Sequence, residues 1–215
     1  MIKVILCDDH ALIRRGVRDT LSDGGDIEIV GEAADYGELR TLLHKLGPDK
    51  PCDVLVLDIN LPGRSGLDVL HVLKDEGANV RTLVVSMYPE DQYAIRALRA
   101  GAFGYVNKGG DPALLVQAVR TVAQGRKYVT PEIAQMLVES LTTPAPEQAH
   151  HKLSDRELQT LVMIASGKRL SDIAEELMLS PKTVSVYRAR VLEKLALANN
   201  SELTVYAIRN GLVAS

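Results

Sequence analysis

Along the first 125 residues, short apolar runs alternate with stretches whose apolar side chains return every three or four positions. The runs lie at 2–7, 27–33, 53–58, 81–87 and 104–108 and have strand length. Between them, Leu12, Ile13, Val17 and Leu21 mark one amphipathic helix, and Leu39, Leu42, Leu43 and Leu46 a second. Leu67, Val69, Leu70 and Leu73 mark a third, Ile95, Leu98 and Ala102 a fourth, and Leu114, Leu115, Ala118, Val119 and Val122 a fifth. Asp111-Pro112 opens the fifth as a cap followed by proline at the first helical position, where a missing N–H costs nothing. Runs one, three and four are nearly continuous in apolar character, the pattern of parallel strands covered on both faces. The repeats predict an α/β flavodoxin-like doubly wound five-stranded parallel sheet in the order 2-1-3-4-5. Its crossovers would be right-handed and its chemistry would sit at the carboxyl ends of the strands.

A further helix is predicted at 131–141. The stretch 142–151 then has two prolines and no apolar period, and His150-His151 reads with it as linker. Ser154 and Glu157 form a capping box that starts a second helical block. Helices are predicted at 154–166, 170–178, 181–195 and 201–210, the third opened by Ser180-Pro181, with no strand among them. The resulting division is a first domain at 1–125, a linker with one helix at 126–152, and a small all-α domain at 153–215. Two modules suit a chain of 215 residues.

Composition narrows the classes. Hydrophobic residues at 46% and charged ones at 25% describe a folded protein. No apolar run approaches the ~20 residues of a membrane span, and Asp8-Asp9 follows the first short run, unlike a secretory signal. The expectation is a soluble cytoplasmic protein with no membrane partner. The net charge of −3 is unevenly spread: residues 1–140 hold 16 basic and 20 acidic residues, residues 152–215 hold 9 and 7. A mildly basic tail behind an acidic body fits a small nucleic-acid reader. Cys7 and Cys52 are too few for a metal site and read as unpaired apolar fillers.

The strand ends carry the candidate chemistry. Asp8, Asp9 and Asp58 would emerge together after strands one and three, and Ser86 and Lys108 after strands four and five. Three carboxylates in one pocket repel one another and call for a cation, and an all-oxygen set favours Mg²⁺. Any one such Asp is more often a cap or a turn former. Five groups at five matching positions suit phosphoryl transfer, with one carboxylate attacking while metal and lysine offset the charge.

Asp8-Asp9, 57–63 (LDINLPG), Val84-Val85-Ser86 and 101–108 (GAFGYVNK) strongly resemble a response-regulator receiver domain over residues 1–125. The resemblance implies that Asp58 accepts a phosphoryl group from a sensor histidine kinase. It implies that Asp8, Asp9, Asp58 and the backbone carbonyl of Asn60 bind Mg²⁺, that Ser86 and Lys108 engage the phosphoryl group, and that Tyr105 is the aromatic switch. Gly109 stands where receivers commonly have proline, which puts the usual cis peptide there in doubt. Asn60 and Tyr88 flank the route of attacking water in the family.

Residues 153–213, with Leu153-Ser154-Asp155-Arg156-Glu157-Leu158 and Leu179-Ser180-Pro181-Lys182-Thr183-Val184, resemble a LuxR-type helix-turn-helix. Together the modules resemble a two-component regulator of the NarL/FixJ type, with a recognition-helix pattern similar to the GacA, BvgA and EvgA branch. The helix at 181–195 carries Lys182, Arg188, Arg190 and Lys194, with Val184, Val191, Leu192 and Leu195 facing the core. Lys182, Thr183, Ser185, Arg188 and Arg190 are the candidate DNA contacts, Arg188 being placed on the outward face. The turn reads Arg169-Leu170-Ser171 where Ser-Asn-Lys is common, so the capping serine is missing. The implied partners are a sensor histidine kinase, double-stranded promoter DNA, a second copy in the active homodimer, and RNA polymerase as a further candidate.

Other classes fit less well. An aspartyl-phosphate phosphatase needs a second acid shortly after the nucleophile and a cap domain, and Asp58-Ile59-Asn60 supplies no such acid. A receiver with an RNA-binding or protein-interaction tail runs against the helix-turn-helix spacing. No GxxxxGK[ST] loop marks an ATP-driven regulator. The chain reads as a regulator and not an enzyme.

Overall fold

Branched apolar residues crowd five strands: β1 (Ile2–Cys7), β2 (Ile27–Ala33), β3 (Val54–Leu57), β4 (Arg81–Ser86) and β5 (Gly104–Asn107). All pair in parallel, in the order β2-β1-β3-β4-β5. The register aligns Cys7 with Leu57, Leu57 with Val84, and Val84 with Tyr105, so β1 and β3 finish level while β4 and β5 run two residues further. The computed structural model describes residues 1–47, 52–88, 90–142 and 149–213. The helices of the first unit are α1 (Ala11–Ser22), α2 (Tyr36–Leu46), α3 (Gly66–Asp75), α4 (Glu90–Ala100), α5 (Pro112–Ala123) and α6 (Pro131–Thr142).

Alternate strand residues feed two cores. Val4, Leu6, Val54, Val56, Leu83, Val85 and Val106 pack with Leu21 of α1 and Leu115, Ala118, Val119 and Val122 of α5. Residues of the opposite parity, Ile5, Leu55, Leu57 and Val84, are buried as well. Both faces are therefore covered, as the continuous apolar runs predict. Leu12 departs from its assignment and is 83% exposed. The buried edge of α1 runs through Ile13, Val17 and Leu21, and Leu12 lies one step off that stripe.

The chain forms two compact units, Met1–Glu139 and Ser140–Ser215. The first thus extends past residue 125, and most of the helix assigned to the linker belongs to it. Tyr128 bridges to Gly104 beside the sheet, Ile133 is fully buried, and the Thr130 hydroxyl that opens α6 also bonds Glu90 at 3.3 Å. Of the predicted linker, 143–148 lie outside the described residues. A 3-10 turn, Ala149–Lys152, follows it. His150 is buried there and not free linker, with Nδ1 at 3.0 Å from the Tyr206 hydroxyl. Cys7 and Cys52 are both buried, and neither is in a disulfide. The described peptide bonds are trans, Lys108–Gly109 included.

The second unit consists of α7 (Asp155–Ala165), α8 (Leu170–Glu176), α9 (Pro181–Leu195) and α10 (Asn200–Arg209). Ser154 and Glu157 cap α7 reciprocally. Glu157 is buried and pairs with Lys194 of α9 at 2.6 Å. Burial alone would raise its pKa, but the Lys194 ammonium and the Ser154 N–H and hydroxyl turn the net direction downward. Val184, Val191 and Leu195 seat α9 on the core.

One glycine is required by contact. Gly66 opens α3 so close to β3 that a Cβ there would lie 2.1 Å from the carbonyl oxygen of Asp58. Gly66→Ala must therefore push the α3 start away from the site, and urea denaturation should show a loss of about 1–3 kcal/mol, the usual range for overpacking.

Candidate functional site

Because β1 and β3 end level, Asp8 and Asp58 leave the sheet side by side, and the Asp58 amide donates to the Cys7 carbonyl at 2.9 Å. Lys108 follows β5, and its amide donates to the Ser86 carbonyl at 2.8 Å. Its ammonium lies 2.6 Å from Asp8 Oδ2 and 2.7 Å from Asp58 Oδ2, with all three side chains at most 10% exposed. Burial raises the Asp58 pKa, and nearby Asp8 adds to this. Lys108 opposes both, and the net direction is upward. Burial alone would lower the Lys108 pKa, but the two facing carboxylates outweigh it and hold the ammonium protonated.

Asp9 is less buried and accepts from His10 Nδ1 at 2.7 Å. One ligand atom from each of Asp8, Asp9, His10 and Asp58 lies within 4.8 Å of the others. Asn60, two residues past Asp58, has a buried Oδ1 with no hydrogen-bond partner. Three carboxylates against one ammonium leave a negative surplus, and the donors are chiefly oxygen. This set fits a hard divalent cation. Sequence reasoning passed over His10 although it adjoins Asp9.

Ser86 is buried and its hydroxyl accepts from the Tyr88 amide at 3.3 Å. The Tyr88 carbonyl accepts from the Tyr105 hydroxyl at 2.7 Å and from Asn107 Nδ2 at 3.0 Å. The β4–α4 turn is thus tied to β5 through two side chains. Tyr105 is fully buried and turned inward, and that burial raises its phenol pKa. The Tyr88 ring stacks on Tyr93 of α4 with centroids 4.7 Å apart.

Residues 4–120 match the family described as response regulator receiver domain, and residues 151–207 the bacterial regulatory proteins, luxR family. The chain belongs to the response regulators. It is 37% identical to response regulator GacA of Pseudomonas aeruginosa over 214 residues, covering 99% of this chain and 98% of that one. It is 38% identical to response regulator UvrY of Escherichia coli over 213 residues, covering 99% and 96%. Among solved structures it is similar to RcsB from Salmonella enterica serovar Typhimurium bound to promoter rprA in the presence of phosphomimetic BeF3−. That match has a TM-score of 0.63 and 26% identity over 95% of this chain and 97% of the other. The regulator therefore joins a receiver to a LuxR-type DNA-binding domain and controls transcription through phosphorylation.

On α9, Lys182, Ser185, Val186, Ala189 and Arg190 are exposed. Thr183 is half-buried, its amide and hydroxyl both occupied by Ser180 in the cap. Arg188 is half-buried, and its Nε donates to Asn200 Oδ1 of α10 at 2.5 Å. Positions 184, 188, 191 and 195 follow the helical period, so Arg188 lies on the core-side stripe and reaches out along it.

The raised pKa of Asp58 has a consequence for stability. A buried carboxyl with an elevated folded pKa binds its proton more tightly in the native state, so its contribution is favourable at low pH. That contribution is lost as pH rises from the ordinary carboxylate range through the folded value. In EDTA, Asp58→Asn should therefore be at least as stable as wild type at pH 7, and its advantage should shrink as pH falls. Denaturation at a series of pH values reads this directly.

Proposed function

We propose that Asp58 takes a phosphoryl group from a sensor histidine kinase and that the phosphorylated regulator binds promoter DNA as a homodimer. The observation that carries the reading is the meeting of Asp8, Asp58 and Lys108 at three strand ends. One Asp58 oxygen forms the P–O bond while the P–N bond of the donor phosphohistidine breaks, and the nitrogen leaves with the electron pair. Lys108 already faces Asp58 and turns its ammonium to the incoming phosphoryl oxygens. Ser86 supplies a hydroxyl for another of them. Asp8, Asp9, Asp58 and the Asn60 carbonyl would hold Mg²⁺, which when bound offsets phosphoryl charge.

Movement of Ser86 toward the phosphoryl group would strain the Ser86–Tyr88 turn and with it the bond from Tyr105. On this reading Tyr105 reports the state of Asp58 to the α4 side of the domain. In the second domain, Lys182, Thr183, Ser185 and Arg190 face DNA, the basic pair on phosphates. Two copies on a repeated half-site double the contacts and raise effective concentration. The regulator works where the DNA is, in the cytoplasm, and its output passes to RNA polymerase. It is a signal receiver and not an enzyme. Among the described residues no helix is long and apolar enough to cross a membrane.

A small phosphodonor with Mg²⁺ should add one phosphoryl group by intact mass, and none in Asp58→Ala. An adduct that persists in the variant rejects the assignment. Asp8→Asn and Asp9→Asn should each weaken Mg²⁺ binding and phosphoryl uptake while the domain stays folded by circular dichroism.

Each phosphate contact contributes about 0.9 to the slope of log affinity against log salt. Lys182→Ala and Arg190→Ala should each flatten that slope by about this amount per subunit. Arg188→Ala should change it less, because the Arg188 head group is engaged by Asn200. Binding isotherms on a mapped promoter site test the order. Flattening by Arg188→Ala alone would move the DNA face to the other flank of α9.

A further inference from the structure

The β1–α1 turn carries Asp8, Asp9 and His10, and within it Asp8 Oδ1 accepts from the His10 amide at 2.8 Å. His10 is the N-cap of α1, yet its side chain makes no capping bond, and the first turn of the helix has no acidic residue. Arg14 reaches back across the gap from the second turn. One of its terminal nitrogens donates to the backbone carbonyl of Asp8 at 2.6 Å, and its Nε donates to Glu32 Oε2 at 3.0 Å. Glu32 stands on β2, next to Leu6 in register, and its Oε1 accepts from Arg18 at 2.6 Å. The guanidinium is a rigid fork, so a head group fixed on Glu32 addresses the Asp8 carbonyl from a set direction.

We propose that Arg14 is a positioning residue for the divalent-cation site, holding the Asp8 peptide so that the Asp8 and Asp9 carboxylates converge on one ion. The inference rests on the cation reading of the acidic cluster. Arg14 differs from its neighbours on α1. Arg15 is 72% exposed and among the described residues pairs with Asp19 at 3.9 Å, a pair of the kind that contributes little. Arg14 is 18% exposed, and one of its bonds goes to the main chain of a proposed ligand residue. It also lines the small void beneath the site together with Cys7, Asp8 and Asp58.

The sign of the effect separates positioning from plain electrostatics. Arg14 is a positive charge beside a cation site, so by Coulomb's law its removal alone would tighten Mg²⁺ binding. Positioning predicts the opposite. Supporting residues around metal ligands are typically worth 10–100-fold in affinity, and about tenfold weakening is expected for Arg14→Gln. Arg14→Lys should recover part of the loss, since it keeps a donor but not the fork. Glu32→Gln should give a smaller weakening, because the fork loses its charged anchor. Arg15→Gln should leave affinity unchanged.

The test is calorimetric titration of Mg²⁺ into the full-length regulator, with thermal unfolding to confirm that each variant is folded. In phosphoryl uptake from a small donor, the half-saturating Mg²⁺ should rise by the same factor. The rate at saturating Mg²⁺ should stay within about twofold, the split expected of a binding effect. Unchanged or tighter Mg²⁺ binding in folded Arg14→Gln overturns the proposal. If that variant does not fold, Arg14→Lys decides: it keeps the charge, so electrostatics alone leaves affinity unchanged, and unchanged affinity there overturns the proposal. Wild type that binds Mg²⁺ but accepts no phosphoryl group would defeat the phosphoacceptor reading while leaving the calorimetric comparison intact.

Discussion

Mutual repulsion of carboxylates is the constraint around which the receiver is built. Asp8 and Asp58 lie almost wholly out of water, where like charges repel far more strongly than at the surface. The Lys108 ammonium, within 2.7 Å of both, makes that tolerable in the resting protein. Only rigid strand ends can hold three such groups in contact. The level finish of β1 and β3, with β5 running on toward Lys108, thus serves the electrostatics as much as the packing. The site keeps a surplus of negative charge, and its lysine faces Asp58.

The same sheet edge gathers the parts that could respond. Ser86 ends β4, Tyr105 lies on β5, and the carbonyl of Tyr88 joins them. Because the phenol is enclosed, it cannot shift without either the turn or α4 giving way. A change of a few ångströms at Asp58 therefore has a short mechanical route out of the core. Well-packed interiors transmit such shifts as discrete rearrangements.

Most of this frame was legible in the residue order. Continuous apolar runs named the buried parallel strands, and the acids, hydroxyl and lysine directly after them could only appear at one edge. What stayed hidden depended on partners distant in sequence. Leu12 shares the spacing of a core residue but lies one step off the buried stripe. His150 stands in a polar stretch, and only Tyr206 explains its burial. Arg14 belongs to a run of arginines that looks like a solvated face until Glu32 and the Asp8 carbonyl are seen beside it. Periodicity identifies the face of an element but not which polar neighbour meets it there.

The bond between Arg188 and Asn200 ties the recognition helix to the helix that follows it. Asn200 is the first residue of α10, so its side chain is set by that helix's own cap and seat. Any partner that tilts or slides α10 would tug on α9 at its midpoint. Suppressor variants that alter promoter choice can therefore arise in α10 without touching a nucleotide. Such a variant would act on the posture of the reading helix and leave its chemistry as it was.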